Sequence, residues 1–237
     1  MDTASYLDSL RADVATVAAT PTDRFDAPVP ACPAWSIADL IAHLGRVHRW
    51  ARASLAEPRD GGLPTFPPRP DASGPALLEW FREGATELIA ALSDGDLAAI
   101  HPTFAGPQPG AWWLRRQALE TAVHRWDAQR ALGEAAPIPM DVAADGIDEW
   151  LALQPARGWV PPEGLEGSIH LHGTDGPGEW LLRFDTTMTV EVGHHKGDVA
   201  VRGALSDLYL MLWGRITSEP LDVIGDEEFL ARFLGSL

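Results

Sequence analysis

One cysteine, one lysine and two tyrosines in 237 residues set the first limits on this chain's chemistry. A lone Cys32 admits no internal disulfide and no thiolate zinc cluster. No histidine is near it in sequence to act as a base, so a nucleophilic role for its thiol is not expected. Positive charge is also short: 18 Lys plus Arg stand against 34 Asp plus Glu, a formal net charge of −16. Such a chain has no basic patch to neutralise phosphates, which argues against nucleic acid and against anionic membrane surfaces as partners. No run approaches the roughly 18 apolar residues of a membrane span. Met1-Asp2-Thr3-Ala4-Ser5 has neither the basic segment nor the apolar stretch of a secretory leader, so a cytoplasmic protein is expected, as a monomer or small homo-oligomer.

What is present is ordinary globular material, 46% hydrophobic and 22% charged, with an unusual ten tryptophans. Those large rigid rings suit a core or the wall of a pocket. Leu7, Leu10, Val14 and Val17 recur at three- and four-residue spacing and predict a helix over about 3–18. Ser36 with Asp39 three residues on starts a second helix that runs to about Leu55. A Pro- and Gly-rich loop follows to Ser73, then a third helix over about Pro75 to Leu92. A fourth runs from about Ala111 to Leu132. Four amphipathic helices predict a four-helix bundle, an architecture that builds metal sites from facing helices.

After Gly133 the pattern changes. Asp141–Leu153 reads as a connecting helix, and alternating segments around Ile169, Trp180, Met188 and Val199 predict an antiparallel sheet. Ala204–Ile216 and Glu227–Phe233 read as further helices. The expected fold is therefore α+β in two domains, a bundle over residues 1–136 and a small α+β domain over residues 137–237.

The bundle carries the sharpest chemical signal. Glu120 and His124, four apart on one helix, stand one above the other with Cβ atoms roughly 5–6 Å apart. A carboxylate and a neutral imidazole there suit a first-row metal, although a surface Glu beside a core His has the same spacing. Asp127 is placed to receive the other ring N–H of His124, or to pair with Arg130. A third ligand would come from His43 or His48 on the second helix. Periodicity puts His48 at the centre of the apolar face and His43 at its edge. In the second domain, His170 and His172 share one strand face, as a metal pair or as solvent-facing residues. Arg215 follows an apolar helix, where it can clamp a carboxylate or complement the helix C-terminus.

The segments Ala31-Cys32-Pro33-Ala34-Trp35-Ser36, Asp39-Leu40-Ile41-Ala42-His43-Leu44 and Arg116 through Glu120-Thr121-Ala122-Val123-His124-Arg125-Trp126-Asp127 resemble those of the mycothiol-dependent maleylpyruvate isomerase-like proteins of actinobacteria. Val201-Arg202-Gly203-Ala204 and Leu212-Trp213-Gly214-Arg215 are similar to the second domain of that family. The resemblance implies a DinB-like N-terminal bundle and a sterol-carrier-like C-terminal domain. It also implies metal ligands at His43, Glu120 and His124, with His43 in place of the His48 that periodicity favours. The implied cofactors are a divalent metal, zinc foremost with nickel, iron, cobalt or manganese as alternatives, and mycothiol as thiol cosubstrate. The implied activity is S-transfer to, or thiol-assisted cis–trans isomerisation of, a small electrophilic acid, with Arg215 on the substrate carboxylate. A metal-dependent hydrolase of thiol conjugates would use the same ligands, and a non-enzymatic metal- or ligand-binding stress module would be marked by a closed four-ligand site that adds His48.

Overall fold

The fold is described from a computed structural model covering residues 1–237. The chain divides into two compact units, Met1–Ala136 and Pro137–Leu237.

The first unit is built on four helices: α1 (Thr3–Ala18), α2 (Ile37–Leu55), α3 (Gly74–Asp94) and α4 (Gly110–Leu132). Helix α2 begins where its sequence predicts. The Ser36 hydroxyl accepts from the Asp39 amide and the Asp39 carboxylate accepts from the Ser36 amide, which satisfies two otherwise orphaned donors. Its apolar face, with Ile37, Leu40, Ile41 and Leu44 fully buried, packs on α3 and α4. Each such side chain contributes roughly 1.5–3 kcal/mol on leaving water. The approach of α2 to α3 is close enough that a Cβ on Gly45 would collide with the Trp80 ring.

Helix α4 departs from the expected amphipathic pattern. From Trp113 to Ala128 it is buried on nearly every side, and the enclosed residues include Arg116, Gln117, Thr121, His124, Arg125 and Asp127. Polar groups buried at this density need partners within the protein. Arg125 shows how they are found: its Nε donates to Asp13 on α1 at 3.1 Å and its Nη1 to the Ala136 carbonyl at 2.7 Å. Burial raises the Asp13 pKa against the pull of the Arg125 guanidinium. Between α3 and α4 lies a two-stranded ribbon that hydropathy did not foretell, β1 (Ile100–His101) against β2 (Gln108–Pro109).

The second unit has a five-stranded sheet of β3 (Gly167–Gly173), β4 (Glu179–Phe184), β5 (Met188–Val192), β6 (Val199–Gly203) and β7 (Asp222–Gly225), in the order β5-β4-β3-β6-β7. Three of the pairings are antiparallel as expected, but β3 and β6 run parallel, so the sheet is mixed. Three helices complete the unit: α5 (Met140–Leu153), α6 (Leu205–Leu212) and α7 (Glu227–Leu234). Helix α6 stops four residues short of its expected end, because Gly214 takes a left-handed φ of 67°. Gly167, Ile169, Leu171 and Gly173 face α6 and α7, since a Cβ at Gly167 would touch Phe229 and one at Gly173 would touch Leu205. The alternate residues of β3, among them Ser168, His170 and His172, therefore point to the opposite face.

Candidate functional site

The interior of the bundle brings three of the expected residues together. His43 from α2 and Glu120 and His124 from α4 offer ligand atoms that all lie within 4.8 Å of one another. Glu120 Oε1 stands 3.2 Å from His124 Nε2 and 3.5 Å from His43 Nε2. The second helix thus contributes its edge histidine. His48 is further in, wholly buried, with Nε2 3.1 Å from the Thr121 hydroxyl. Burial above all, helped by the neighbouring Arg49 charge, depresses its pKa to about 3, so His48 is a neutral core residue at any ordinary pH. Periodicity identified the more buried histidine. The donor set takes the less buried one, because a site open to ligand has to sit at the border of the core.

Each donor is held from behind. His124 Nδ1 lies 2.9 Å from Asp127 Oδ2, and the Asp127 side chain is completely enclosed. An Nδ1–H donated there leaves Nε2 as a lone-pair donor facing Glu120, the arrangement a metal-ligating histidine requires. Arg116, one turn before Glu120, gives its guanidinium to Glu120 Oε2 and leaves Oε1 to the two imidazoles. That pairing is legible in the sequence as an i,i+4 spacing.

The surroundings come from loops. The Trp35 ring sits 4.7 Å from the His43 ring and 6.0 Å from the His124 ring, centroid to centroid. Its loop is pinned by the Val29 amide donating to the Trp35 carbonyl at 2.9 Å and the Trp35 amide to the Cys32 carbonyl at 2.7 Å. Phe66, 6.3 Å from His43, is brought in by the proline-rich loop between α2 and α3. Arg46 holds that loop through the Pro67 carbonyl at 2.7 Å and lies over the Phe66 ring, while Trp50 donates to the Pro64 carbonyl at 2.7 Å. The sequence shows Trp35 only as a motif residue and gives no signal for Phe66, because loop residues follow no period. Arg215 belongs to the second unit, where its Nη1 donates to the Trp213 carbonyl at 2.7 Å.

The donor chemistry fits a divalent first-row metal. Two imidazole nitrogens and one carboxylate oxygen make a three-ligand set of the kind that leaves a coordination position for water or substrate. At metal–ligand distances of about 2.0–2.2 Å, tetrahedral neighbours lie roughly 3.3 Å apart, close to the two distances measured around Glu120 Oε1.

Comparison with known proteins is consistent across the chain. Residues 7–129 match the family model described as the mycothiol maleylpyruvate isomerase N-terminal domain, and residues 141–232 match the MDMPI C-terminal domain. Two solved structures share the fold. One, a mycothiol-dependent maleylpyruvate isomerase with a histidine-to-alanine substitution, is 16% identical with a TM-score of 0.69. It covers 94% of this chain and 93% of its own. The other, a mycothiol-dependent maleylpyruvate isomerase, is 17% identical with a TM-score of 0.62 and the same coverage. No protein of curated function matches the sequence.

Proposed function

Since the chain belongs to the mycothiol maleylpyruvate isomerase family, with a family domain in each unit, we propose that it is a divalent-metal-dependent enzyme using mycothiol on a small electrophilic acid. The reaction is cis–trans isomerisation or S-transfer. Addition of a thiol to an alkene carbon conjugated with a carbonyl forms a C–S bond and leaves a single bond free to rotate. Breaking the C–S bond then restores the alkene and the thiol with no net redox change. If the adduct is kept, the product is an S-conjugate. The observation that carries this reading is the convergence of His43, Glu120 and His124 with Asp127 behind one ligand and Arg116 behind another.

A divalent ion held by these three side chains would lower the pKa of a coordinated thiol, making mycothiol a thiolate at neutral pH. Asp127 fixes the His124 tautomer, and Arg116 occupies one carboxylate oxygen of Glu120, so that the other faces the site. Trp35 and Phe66 line the His43 side with apolar surface, which keeps water from competing with the incoming thiol. The chain's single cysteine is consistent with an external thiol as nucleophile. We propose a substrate carboxylate as the partner of Arg215, for which its planar fork is suited.

Metal content by mass spectrometry tests the site. Wild type and His48→Ala should keep the ion bound in the bundle, and His43→Ala and Glu120→Ala should lose it with circular dichroism unchanged. Retention in both His43→Ala and Glu120→Ala would refute the assignment.

A further inference from the structure

The second unit contains another convergence of metal-ligating side chains, unconnected with the reading above. His170 and His172 project from β3 on the face away from α6 and α7, and Glu179 of β4 is the register partner of His172. Directly opposed residues on paired strands bring their Cβ atoms to about 4.5–5.5 Å, and diagonal neighbours are still within reach of long side chains. Glu179 thereby meets both imidazoles, His172 Nδ1 at 3.1 Å and His170 Nε2 at 3.2 Å. The fourth member comes from beyond β5. The Gly193 amide donates to the Glu179 carbonyl at 2.9 Å, and Gly193 takes a φ of 124° that favours glycine, turning the chain back over the sheet. That turn lands His194 Nδ1 at 2.7 Å from Glu179 Oε2.

We propose that His170, His172, Glu179 and His194 form a second metal site, closed and structural, that takes a divalent first-row transition ion such as zinc. Four observations support it. The four ligand atoms lie within 4.8 Å of one another. Glu179 Oε2 stands 3.2 Å from His170 Nε2 and 2.7 Å from His194 Nδ1, and Oε1 stands 3.1 Å from His172 Nδ1, separations that approach the roughly 3.3 Å edge of a tetrahedral zinc site. Three imidazoles and one carboxylate are a borderline donor set that suits zinc, copper, nickel or cobalt rather than calcium or magnesium. Finally, three imidazoles crowd one acid, two more than an ion pair would use, and the His170 side chain is only 6% exposed, so solvation does not explain its polarity. Four protein ligands leave no position for substrate, which makes the role structural. The ion would staple the turn after β5 to β3 and β4. It has a way in, because a cleft of about 630 Å³ opens beside His170, His172 and His194.

The test is stoichiometry. Full-length protein is stripped with chelator, reloaded with Zn²⁺, desalted, and its metal counted per chain. Wild type should hold two ions. His172→Ala/His194→Ala should hold one, and so should Glu120→Ala, each variant missing a different ion. The triple variant should hold none. The two histidines chosen are the more exposed members, with side chains 24% and 79% accessible, so the fold should survive their loss. His195→Ala, altering the neighbouring exposed histidine, should keep both ions. Equal metal in wild type and in His172→Ala/His194→Ala would overturn the second site and leave a hydrogen-bonded cluster around Glu179. One ion that persists in Glu120→Ala and disappears in His172→Ala/His194→Ala would support this site and sink the bundle site instead.

Discussion

Removing Asp127 offers the most direct test of how the bundle site is organised. Its carboxylate is completely enclosed and lies 2.9 Å from His124 Nδ1. In Asp127→Asn the side-chain amide oxygen still accepts the ring N–H, so orientation survives and the negative charge that raises ligand basicity is lost. In Asp127→Ala both are lost and the ring can turn. Carboxylates behind ligating histidines are typically worth 10–100-fold in metal affinity. The asparagine variant should fall near the lower end, about 1.4 kcal/mol, and the alanine variant near the upper, about 2.7 kcal/mol. Competition for Zn²⁺ against a chromogenic chelator measures both, and carrying the measurement in a His172→Ala/His194→Ala background removes any contribution from the second unit. Affinities within twofold of wild type in both variants, with thermal unfolding intact, would refute the view that Asp127 sets the state of His124.

Two further outcomes are expected. Arg215→Lys removes the bidentate fork but keeps the charge; it should raise KM for an acidic electrophile about tenfold or more, a loss on the order of 1–2 kcal/mol, with metal content unchanged. An unaltered KM would refute the carboxylate-binding role proposed for Arg215. The buried His48 makes stability acid-sensitive: its folded pKa of about 3 lies below the ordinary 6.5, so the unfolded chain binds the proton more readily. Its contribution is complete above about pH 6.5 and is lost as pH falls toward 3, by roughly 2 kcal/mol between pH 7 and pH 5. Chemical denaturation of wild type and His48→Gln across that range should diverge at the acid end in favour of the variant's flatter profile, and parallel curves would contradict it.

How much of this was readable from the sequence differs by feature. The helices of the bundle were, because long apolar periodicities and a Ser36/Asp39 cap are local signals. Glu120 and His124 were, because i,i+4 spacing fixes their proximity within one helix. Which of His43 and His48 stands beside Glu120 and His124 was not legible from periodicity, which measures depth in the core, whereas His43 lies at its edge. Family resemblance supplied that choice. The burial of α4 was hidden for a related reason: Arg116, Arg125 and Asp127 look like a solvated face, yet Arg116 and Asp127 pair with Glu120 and His124 on the same helix, and Arg125 is met by Asp13 of α1. In the second unit, strand positions were legible but not the parallel pairing of β3 with β6, since alternation reports which face a residue takes and not which strand lies beside it. Strand β7, four residues of Asp222–Gly225, is too short to show a pattern.

The division of labour around the bundle site bears on how such a protein changes over evolutionary time. Its three candidate donors stand within helices, where a shifted residue would disturb a packed core, while the walls formed by Trp35 and Phe66 belong to loops fastened by a few hydrogen bonds to their backbone groups. Loops accept insertion and replacement far more readily than helix interiors do. Descendants of this scaffold can therefore reshape the walls beside His43 by rewriting residues 19–36 and 56–73, and inherit the His43, Glu120 and His124 cluster unchanged.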